Sequence, residues 1–304
     1  MEKKRITVFD GDVGTDDAMA LFLMARVTEA PDYVVATYGN APRAMTFRNT
    51  LVVKGLLGMK CPVIKGAEKP FDGEEPTCGD YHGKDGLADI AEECAIRLGI
   101  GEKGEEAMDL EAFSSELQKA DEITYIAVDP LTSLATLIRR EEVKKRIKKV
   151  LIMGGGFERT NKDHDSEYNF AGDPKALKEI LESGLNLTIF PLDLTLTHPV
   201  MKEEIDLLES FGRDPEFIRI LRKNHRSGID LEGGDGAILH DTLPILYKSF
   251  PEKFSVKEKK ILSDEWGHIE EATNGYPVFV AERAEEGFLF TMLKRGFGGE
   301  QGKS

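Results

Sequence analysis

The chain has 304 residues, 40% of them hydrophobic, and its 40 Lys and Arg against 55 Asp and Glu give a formal net charge of −15. This length allows a large buried core, while the acidic balance disfavours nucleic acid as a partner because phosphate binding needs a basic surface. No segment reaches the roughly 18 apolar residues of a membrane-spanning helix, and no signal-peptide pattern is present, so we expect a cytoplasmic protein without membrane contact.

Strand and helix patterns alternate along the first two thirds of the sequence. Strands are predicted at residues 6–9, 33–38, 62–64, 123–127, 150–153 and 187–190. Helices are predicted at residues 16–27, 43–57, 88–98, 110–119, 131–140 and 174–183. This alternation indicates an α/β protein with an open, mostly parallel, doubly wound (Rossmann-like) sheet that carries helices on both faces.

The last third of the sequence is predicted to be helical at first and then mixed. Helical patterns dominate residues 200–227, β-like runs follow at 254–262 and 278–280, and a helix is expected near 287–294. No linker or repeat interrupts the chain, so we expect a single domain over residues 1–304. A basic run from Arg139 to Lys149 is predicted to lie in a helix beside Glu141 and Glu142, which favours a solvated face over a nucleic-acid site.

Four carboxylates fall within eight residues, directly after the first predicted strand: Asp10, Asp12, Asp16 and Asp17. Like charges at such spacing repel one another, so the simplest explanation is a hard metal ion held by oxygen ligands. The turn between the strand and the following helix is at the carboxyl end of a strand, where open α/β sheets bind ligands. Asp10 is interpreted as hydrogen-bonding the turn rather than ligating the ion.

Further polar clusters follow later predicted strands, and in a doubly wound sheet they converge on the same rim. Together these residues resemble the inosine-uridine nucleoside hydrolase family, whose opening pattern D-x-D-x-G-x-D-D-A is matched at residues 10–18. Seven further matches come in family order: Gly39-Asn40, the run beginning His82-Gly83, Pro130-Leu131-Thr132, Met153-Gly154-Gly155, Glu167-Tyr168-Asn169, Pro191-Leu192-Asp193 and His240-Asp241.

The resemblance implies hydrolysis of the N-glycosidic bond of ribonucleosides to ribose and free base, with one Ca²⁺ as cofactor and a homodimer or homotetramer as the assembly. The implied metal ligands are Asp12, Asp17, Asp241 and the backbone carbonyl of Val128, an all-oxygen set of the kind calcium requires. Asp12 would also act as general base on the attacking water, and His240 as proton donor to the departing base, since histidine titrates near neutral pH. The implied substrate-binding residues are Asp16, Asn40, His82, Met153, Asn161, Glu167 and Asn169.

The chain departs from the family pattern beside the expected metal site. Asp129 stands where a glycine is usual, next to the carbonyl of Val128, and adds a negative charge there. Outside the matched patterns, the lone Trp266 is expected to pack in the core or the C-terminal region. His164 is expected to be a surface or packing residue.

Two other interpretations remain open from the residues alone. In a haloacid-dehalogenase-like, Mg²⁺-dependent phosphatase, Asp10 would be the nucleophile and Asp12 the acid/base. That interpretation leaves Asp16, Glu167 and His240 unexplained. A non-catalytic nucleoside- or ribose-binding protein would need neither a general base nor a general acid.

Overall fold

The computed structural model describes residues 3–74, 76–101 and 107–298; the predicted domain of residues 1–304 therefore includes positions outside the described residues. Its strands are β1 (Arg5–Gly11), β2 (Tyr33–Ala36), β3 (Val63–Lys65), β4 (Glu122–Ala127), β5 (Ile147–Met153), β6 (Leu187–Phe190), β7 (Phe254–Ser263), β8 (Ile269–Glu271) and β9 (Tyr276–Ala284). Its helices are α1 (Thr15–Arg26), α2 (Arg43–Leu57), α3 (Ala91–Leu98), α4 (Leu110–Leu117), α5 (Thr132–Ile138), α6 (Glu141–Lys144), α7 (Tyr168–Gly172), α8 (Pro174–Glu182), α9 (Leu192–Thr195), α10 (Lys202–Ser210), α11 (Pro215–Glu232), α12 (Thr242–Ser249) and α13 (Phe288–Gly296).

The described strands form one sheet in the order β3-β2-β1-β4-β5-β6-β9-β7-β8. The pairings from β3 across to β9 are parallel, while β7 runs antiparallel to both β8 and β9. The chain winds outward in both directions from the β1–β4 pair, which makes this pair the topological switch point where doubly wound sheets open a ligand crevice. The predicted mostly parallel, doubly wound α/β sheet is confirmed.

Both faces of the sheet are buried, which explains the near-continuous apolar strands. In β1, Phe9 joins the core that contains Phe22 of α1, whereas the adjacent Val8 joins a separate core with Leu134 of α5. Alternate side chains of one strand therefore anchor helices on opposite faces. This double anchoring fixes the carboxyl end of β1, and the aspartates that follow it, between two helical layers.

Several predicted boundaries are wrong for identifiable reasons. Helix α3 starts at Ala91 rather than at 88, because Ala88 and Asp89 have left-handed backbones, with φ of 57° and 56°. The helical stretch predicted at 200–227 is two helices, α10 and α11, and the second begins at Pro215. Pro is favoured in the first turn of a helix, where its missing N–H costs nothing.

The basic run near residue 140 is also not one helix. It covers the end of α5, the short α6 and the exposed start of β5. Arg139 and Arg140 form ion pairs with Glu179 at 2.6 Å and Glu111 at 3.3 Å. The acidic partners support the interpretation of this run as a solvated surface.

None of the described helices is both long enough and apolar enough to cross a membrane. The longest of them, α11, packs against α1 and α10.

Candidate active site

Three buried carboxyl groups meet where β1 ends and α12 begins. Oxygen atoms of Asp16, Asp17 and Asp241 all lie within 4.8 Å of one another. Asp16 and Asp17 lie in the first turn of α1, and Asp241 directly precedes α12, so the positive ends of two helix dipoles lie beside the cluster. The group unites two predicted metal ligands, Asp17 and Asp241, with a residue predicted to bind the sugar.

The electrostatics of this cluster fit a hard divalent cation. Burial, and then the neighbouring carboxylates, raise the pKa of Asp241 well above its usual range. Burial likewise raises the pKa of Asp17 to about 6, although Gly14 N donates to its Oδ2 at 2.9 Å. Asp17 Oδ1 accepts no N–H or hydroxyl hydrogen bond from any residue that the structure describes. A bound cation would compensate the negative charge of these clustered oxygens, which have too few hydrogen-bond donors.

Asp12 lies beside this cluster in a fixed orientation. Its Oδ2 accepts from Asn40 N at 2.6 Å and its Oδ1 from Asn40 Nδ2 at 3.1 Å. Burial, followed by the charge of Asp17, raises the pKa of Asp12 well above its usual range. Gly39 makes the approach possible, because a Cβ at that position would overlap the Asp12 carboxylate.

Asp10 and Asp129 form a second buried acidic layer. Asp10 is fully buried and accepts from Thr37 Oγ1 at 2.7 Å and Tyr125 Oη at 2.6 Å, so it ties β1 to its two neighbouring strands. A phosphatase nucleophile has to reach its substrate, and this enclosed carboxylate disfavours that alternative. Asp129 is also fully buried, and neither of its oxygens accepts an N–H or hydroxyl hydrogen bond from the described residues.

Two buried histidines border the carboxylates. His82 Nδ1 accepts from Thr15 N at 3.0 Å and lies 3.8 Å from Asp16 Oδ1. His240 Nδ1 shares a 2.7 Å hydrogen bond with Thr195 Oγ1. Burial lowers the pKa of His82 to about 3 and that of His240 to about 4. These pKa shifts favour neutral rings at neutral pH, and the role of His240 as proton donor stays a prediction.

The segment after β5 brings further predicted residues to the rim. Asn169 Nδ2 donates to the carbonyls of Val128 and Met153, each at 3.2 Å, and so joins the ends of β4 and β5. Both oxygens of Glu167 accept backbone N–H groups, from Asn169 at 2.9 Å, Gly155 at 2.9 Å and Phe170 at 3.1 Å. Burial raises the pKa of Glu167 to about 7.

Asn161 lies further out, on the loop that precedes α7. It is exposed, and its Oδ1 accepts from Tyr168 N at 2.9 Å. The Tyr168 hydroxyl donates to the carbonyl of Gly39 at 2.9 Å, which connects this loop to the one that carries Asn40. These contacts bring the loops that carry Asn40, Asn161 and Asn169 together at the carboxyl rim.

Several residues that support the site were missed by the sequence analysis. Thr195, in the short helix α9, orients His240, and Asn224 Nδ2 of α11 donates to Thr15 Oγ1 at 3.0 Å, behind His82. Ser227 Oγ of α11 donates to the carbonyl of Tyr81 at 2.6 Å, which holds the His82 loop in place. These residues lie far apart in sequence and match no motif, so only the three-dimensional structure identifies them.

Comparison with known proteins agrees with this geometry. A family model described as inosine-uridine preferring nucleoside hydrolase matches residues 7–287. The chain is 29% identical over 259 residues to the non-specific ribonucleoside hydrolase RihC of Escherichia coli (strain SE11), covering 83% of this chain and 82% of that protein. It is 28% identical over 258 residues to uridine nucleosidase 1 of Arabidopsis thaliana, with coverage of 83% and 76%. A purine-preferring ribonucleoside hydrolase from Gardnerella vaginalis shares the fold, with a TM-score of 0.83 at 20% identity over 97% of this chain and 98% of that one.

Proposed function

Because the chain belongs to the inosine-uridine preferring nucleoside hydrolase family, whose members act on N-glycosyl compounds, we propose that it hydrolyses ribonucleosides to ribose and free base with Ca²⁺ as cofactor. The observation that carries this proposal is the buried Asp16–Asp17–Asp241 cluster beside an oriented Asp12, at the switch point of the sheet. Two neutral histidines at the same rim supply groups for the leaving base. A non-catalytic binding protein would need neither a general base such as Asp12 nor a proton donor such as His240.

The proposed cation ligands are Asp12, Asp17, Asp241 and the carbonyl of Val128. When bound there, calcium would lower the pKa of the attacking water and coordinate sugar hydroxyls. Asp12 would take the proton from that water. Burial raises the pKa of its carboxyl group, and a carboxylate with a higher pKa is a stronger base. The two hydrogen bonds from Asn40 hold both Asp12 oxygens, so the basic lone pair has one fixed direction.

The ribose would be held by Asp16, Asn161, Glu167 and Asn169, next to the main chain of Met153. A carboxylate has about four acceptor sites, and Glu167 uses three for backbone N–H groups, which leaves one for a sugar hydroxyl. The buried carboxylates also favour the positive charge that develops on the sugar ring as the glycosidic bond breaks. Neutral His82 and His240 add no opposing charge.

His240 would serve the departing base as a neutral hydrogen-bond and proton donor. If Thr195 donates to Nδ1, the ring proton resides on Nε2, and that N–H is available to the base. Because loss of the Nε2 proton alone would leave an imidazolate, His240 would pass a proton to the base only as the ring takes up another one. That proton would be the one Asp12 removes from water, carried through solvent, so both side chains would end in their starting protonation states.

The proposal is tested by product analysis in ¹⁸O-labelled water. Inosine and uridine are incubated with the calcium-loaded protein, and the products are separated and weighed by mass spectrometry. Hydrolysis predicts one equivalent of free base and ribose labelled at the anomeric oxygen. Unlabelled sugar, or unchanged nucleoside at calcium concentrations that saturate the protein, would contradict the proposal.

The resemblance also underlies the proposal of a homodimer or homotetramer, and the sequence patterns underlie the proposal of a cytoplasmic location. Light scattering coupled to size-exclusion chromatography measures the first, with two or four chains of 33.8 kDa expected. A single-chain mass at catalytic concentrations would contradict that assembly.

A further inference from the structure

A cavity of about 300 Å³ lies at the same rim as the candidate active site. None of the residues proposed for metal binding, catalysis or ribose binding lines it. Two of its lining residues, Gly39 and Tyr168, are sequence neighbours of proposed site residues. A volume of this size is at the lower end of the range for small-molecule pockets. The proposed reaction therefore leaves the cavity without a role.

One wall of the cavity is aromatic, because Trp266, which was expected to pack in the core or the C-terminal region, lies at the surface there. The indole is 49% exposed and stacks on the His164 imidazole, with ring centroids 4.1 Å apart and planes 16° apart. Such a stacked pair offers a flat, rigid apolar surface at the mouth of the cavity. Trp266 lies in the turn between β7 and β8, so a second part of the chain reaches over to this rim.

The loop that carries His164 is held in a costly conformation. His164 and Asp165 both have left-handed backbones, with φ of 60° and 53°. Left-handed backbones are unfavourable for non-glycine residues and are concentrated at ligand clamps and active sites. The His268 ring hydrogen-bonds the Asp165 carbonyl at 2.6 Å, which ties the loop to the turn that carries Trp266.

The inner wall supplies a second ring and opposite charges. The Lys162 ammonium lies 4.7 Å from the centre of the Tyr168 ring, and both residues line the cavity, as does Glu74. Prolines at 70, 76, 130 and 174 complete an apolar lining. The cavity thus combines aromatic faces with one ammonium group, Lys162, and two carboxyl groups, Glu74 and Asp163, which matches a flat ring that carries acceptors and donors on its edge.

We propose that this cavity binds a flat nitrogen heteroaromatic ring, stacked on Trp266, as a site separate from the catalytic one. This is the chemical class of the free base that the proposed reaction releases, but binding here requires no turnover. The Tyr168 hydroxyl donates to the Gly39 carbonyl at 2.9 Å and lies between this cavity and the loop that carries Asn40. The cavity would therefore bind the base without holding the ribose.

Trp266 is the only tryptophan of the chain, so its fluorescence reports on this cavity alone. The protein is titrated with adenine and with uracil, and free N-acetyltryptophanamide corrects for absorption by the ligand. Dihydrouracil, which keeps the donors and acceptors of uracil but is not aromatic, is the matched ligand control. We expect saturable quenching by adenine and uracil, at least ten-fold weaker binding of dihydrouracil, and the same quenching in Asp12→Asn.

Two variants separate the cavity from the active site. Ala171 lines the cavity, and Ala171→Leu fills it, so base binding should weaken at least ten-fold while the rate at saturating nucleoside changes less than two-fold. His164→Asn removes the stacked ring but tolerates the left-handed backbone, and should weaken binding about five-fold. Quenching that does not saturate, that survives both variants, or that disappears in Asp12→Asn would overturn the proposal. Because the readout is binding, these outcomes are independent of whether nucleosides are hydrolysed.

Discussion

The variant Asp17→Asn separates the free-energy cost of burying the acidic cluster from the proposed role of the cluster in binding calcium. Burial raises the pKa of Asp17 from 3.8 to about 6, and the ionised carboxylate therefore lowers the free energy of unfolding by about 3 kcal/mol at pH values above 6. The folded state holds the proton more tightly than the unfolded state does. The full stability is therefore present below about pH 4, and about 3 kcal/mol of it is lost as the pH rises through about 6. Asparagine is neutral at every pH and keeps an oxygen for the Gly14 N–H.

The assay is urea unfolding of both proteins in EDTA at pH 4 to 8. The variant should match the natural protein near pH 4 and exceed its free energy of unfolding by up to about 3 kcal/mol at pH 7 and above. Burial lowers the pKa of the two histidines, so their contribution to the free energy of unfolding rises with pH. This contribution is the same in both proteins and cancels in the difference between them. Glu252→Gln, at an exposed position, is the control and should show no pH-dependent difference.

Calcium should reverse this order. A ligand that binds only the folded state stabilises it in proportion to the logarithm of its concentration over its Kd, and Asp17→Asn removes one proposed ligand. In millimolar calcium at pH 7, the natural protein should therefore gain more stability than the variant. A variant less stable than the natural protein in EDTA at pH 7, or a difference independent of pH, would refute the reasoning.

Four further substitutions test other parts of the site. His240→Ala should lower kcat by about 10²–10⁴ and leave the calcium-dependent shift in melting temperature unchanged; a ring that is neutral above about pH 4 should add no inflection to the kcat profile between pH 6 and 8. Thr195→Val should lower kcat about ten-fold at constant KM, the value of one hydrogen bond, and Thr195→Ser should restore it. Gly39→Ala should cost about 1–3 kcal/mol in thermal unfolding, because its Cβ overlaps the Asp12 carboxylate; an unchanged melting temperature would contradict that contact. Asp129→Asn should raise the free energy of unfolding in EDTA by about 1–3 kcal/mol, and a loss of stability would show that its charge is compensated.

The sequence predicted the sheet well because each central strand is a short apolar run that ends in polar residues. Asp12, Asn40 and Val128 each follow such a run, and their meeting at one rim follows from the strand order of a doubly wound sheet. The predicted position of Asp17 at the start of a helix is likewise borne out by the first turn of α1. In these cases local patterns and the fold agree.

What the sequence did not predict depends on contacts between distant segments. Helix α7 has five residues and no apolar periodicity, and it begins where the Glu167 side chain caps backbone N–H groups. The hydrogen bond between Thr195 and His240 joins residues 45 positions apart, and burial lowers the pKa of that ring. Trp266 stacks at a surface cavity because the strained loop at His164 reaches it, a contact that no spacing encodes.

The central claim, a calcium-dependent ribonucleoside hydrolase, is tested most directly by release of reducing sugar. Inosine, adenosine, guanosine, uridine and cytidine are each supplied to the untreated protein, to the EDTA-treated protein and to the same protein after calcium is added back, with Asp12→Asn as the inactive control. We predict ribose release from at least one nucleoside, its loss in EDTA and its recovery with calcium but not in the variant. Release that persists undiminished in EDTA, or no release from a folded protein that binds calcium, would contradict the claim.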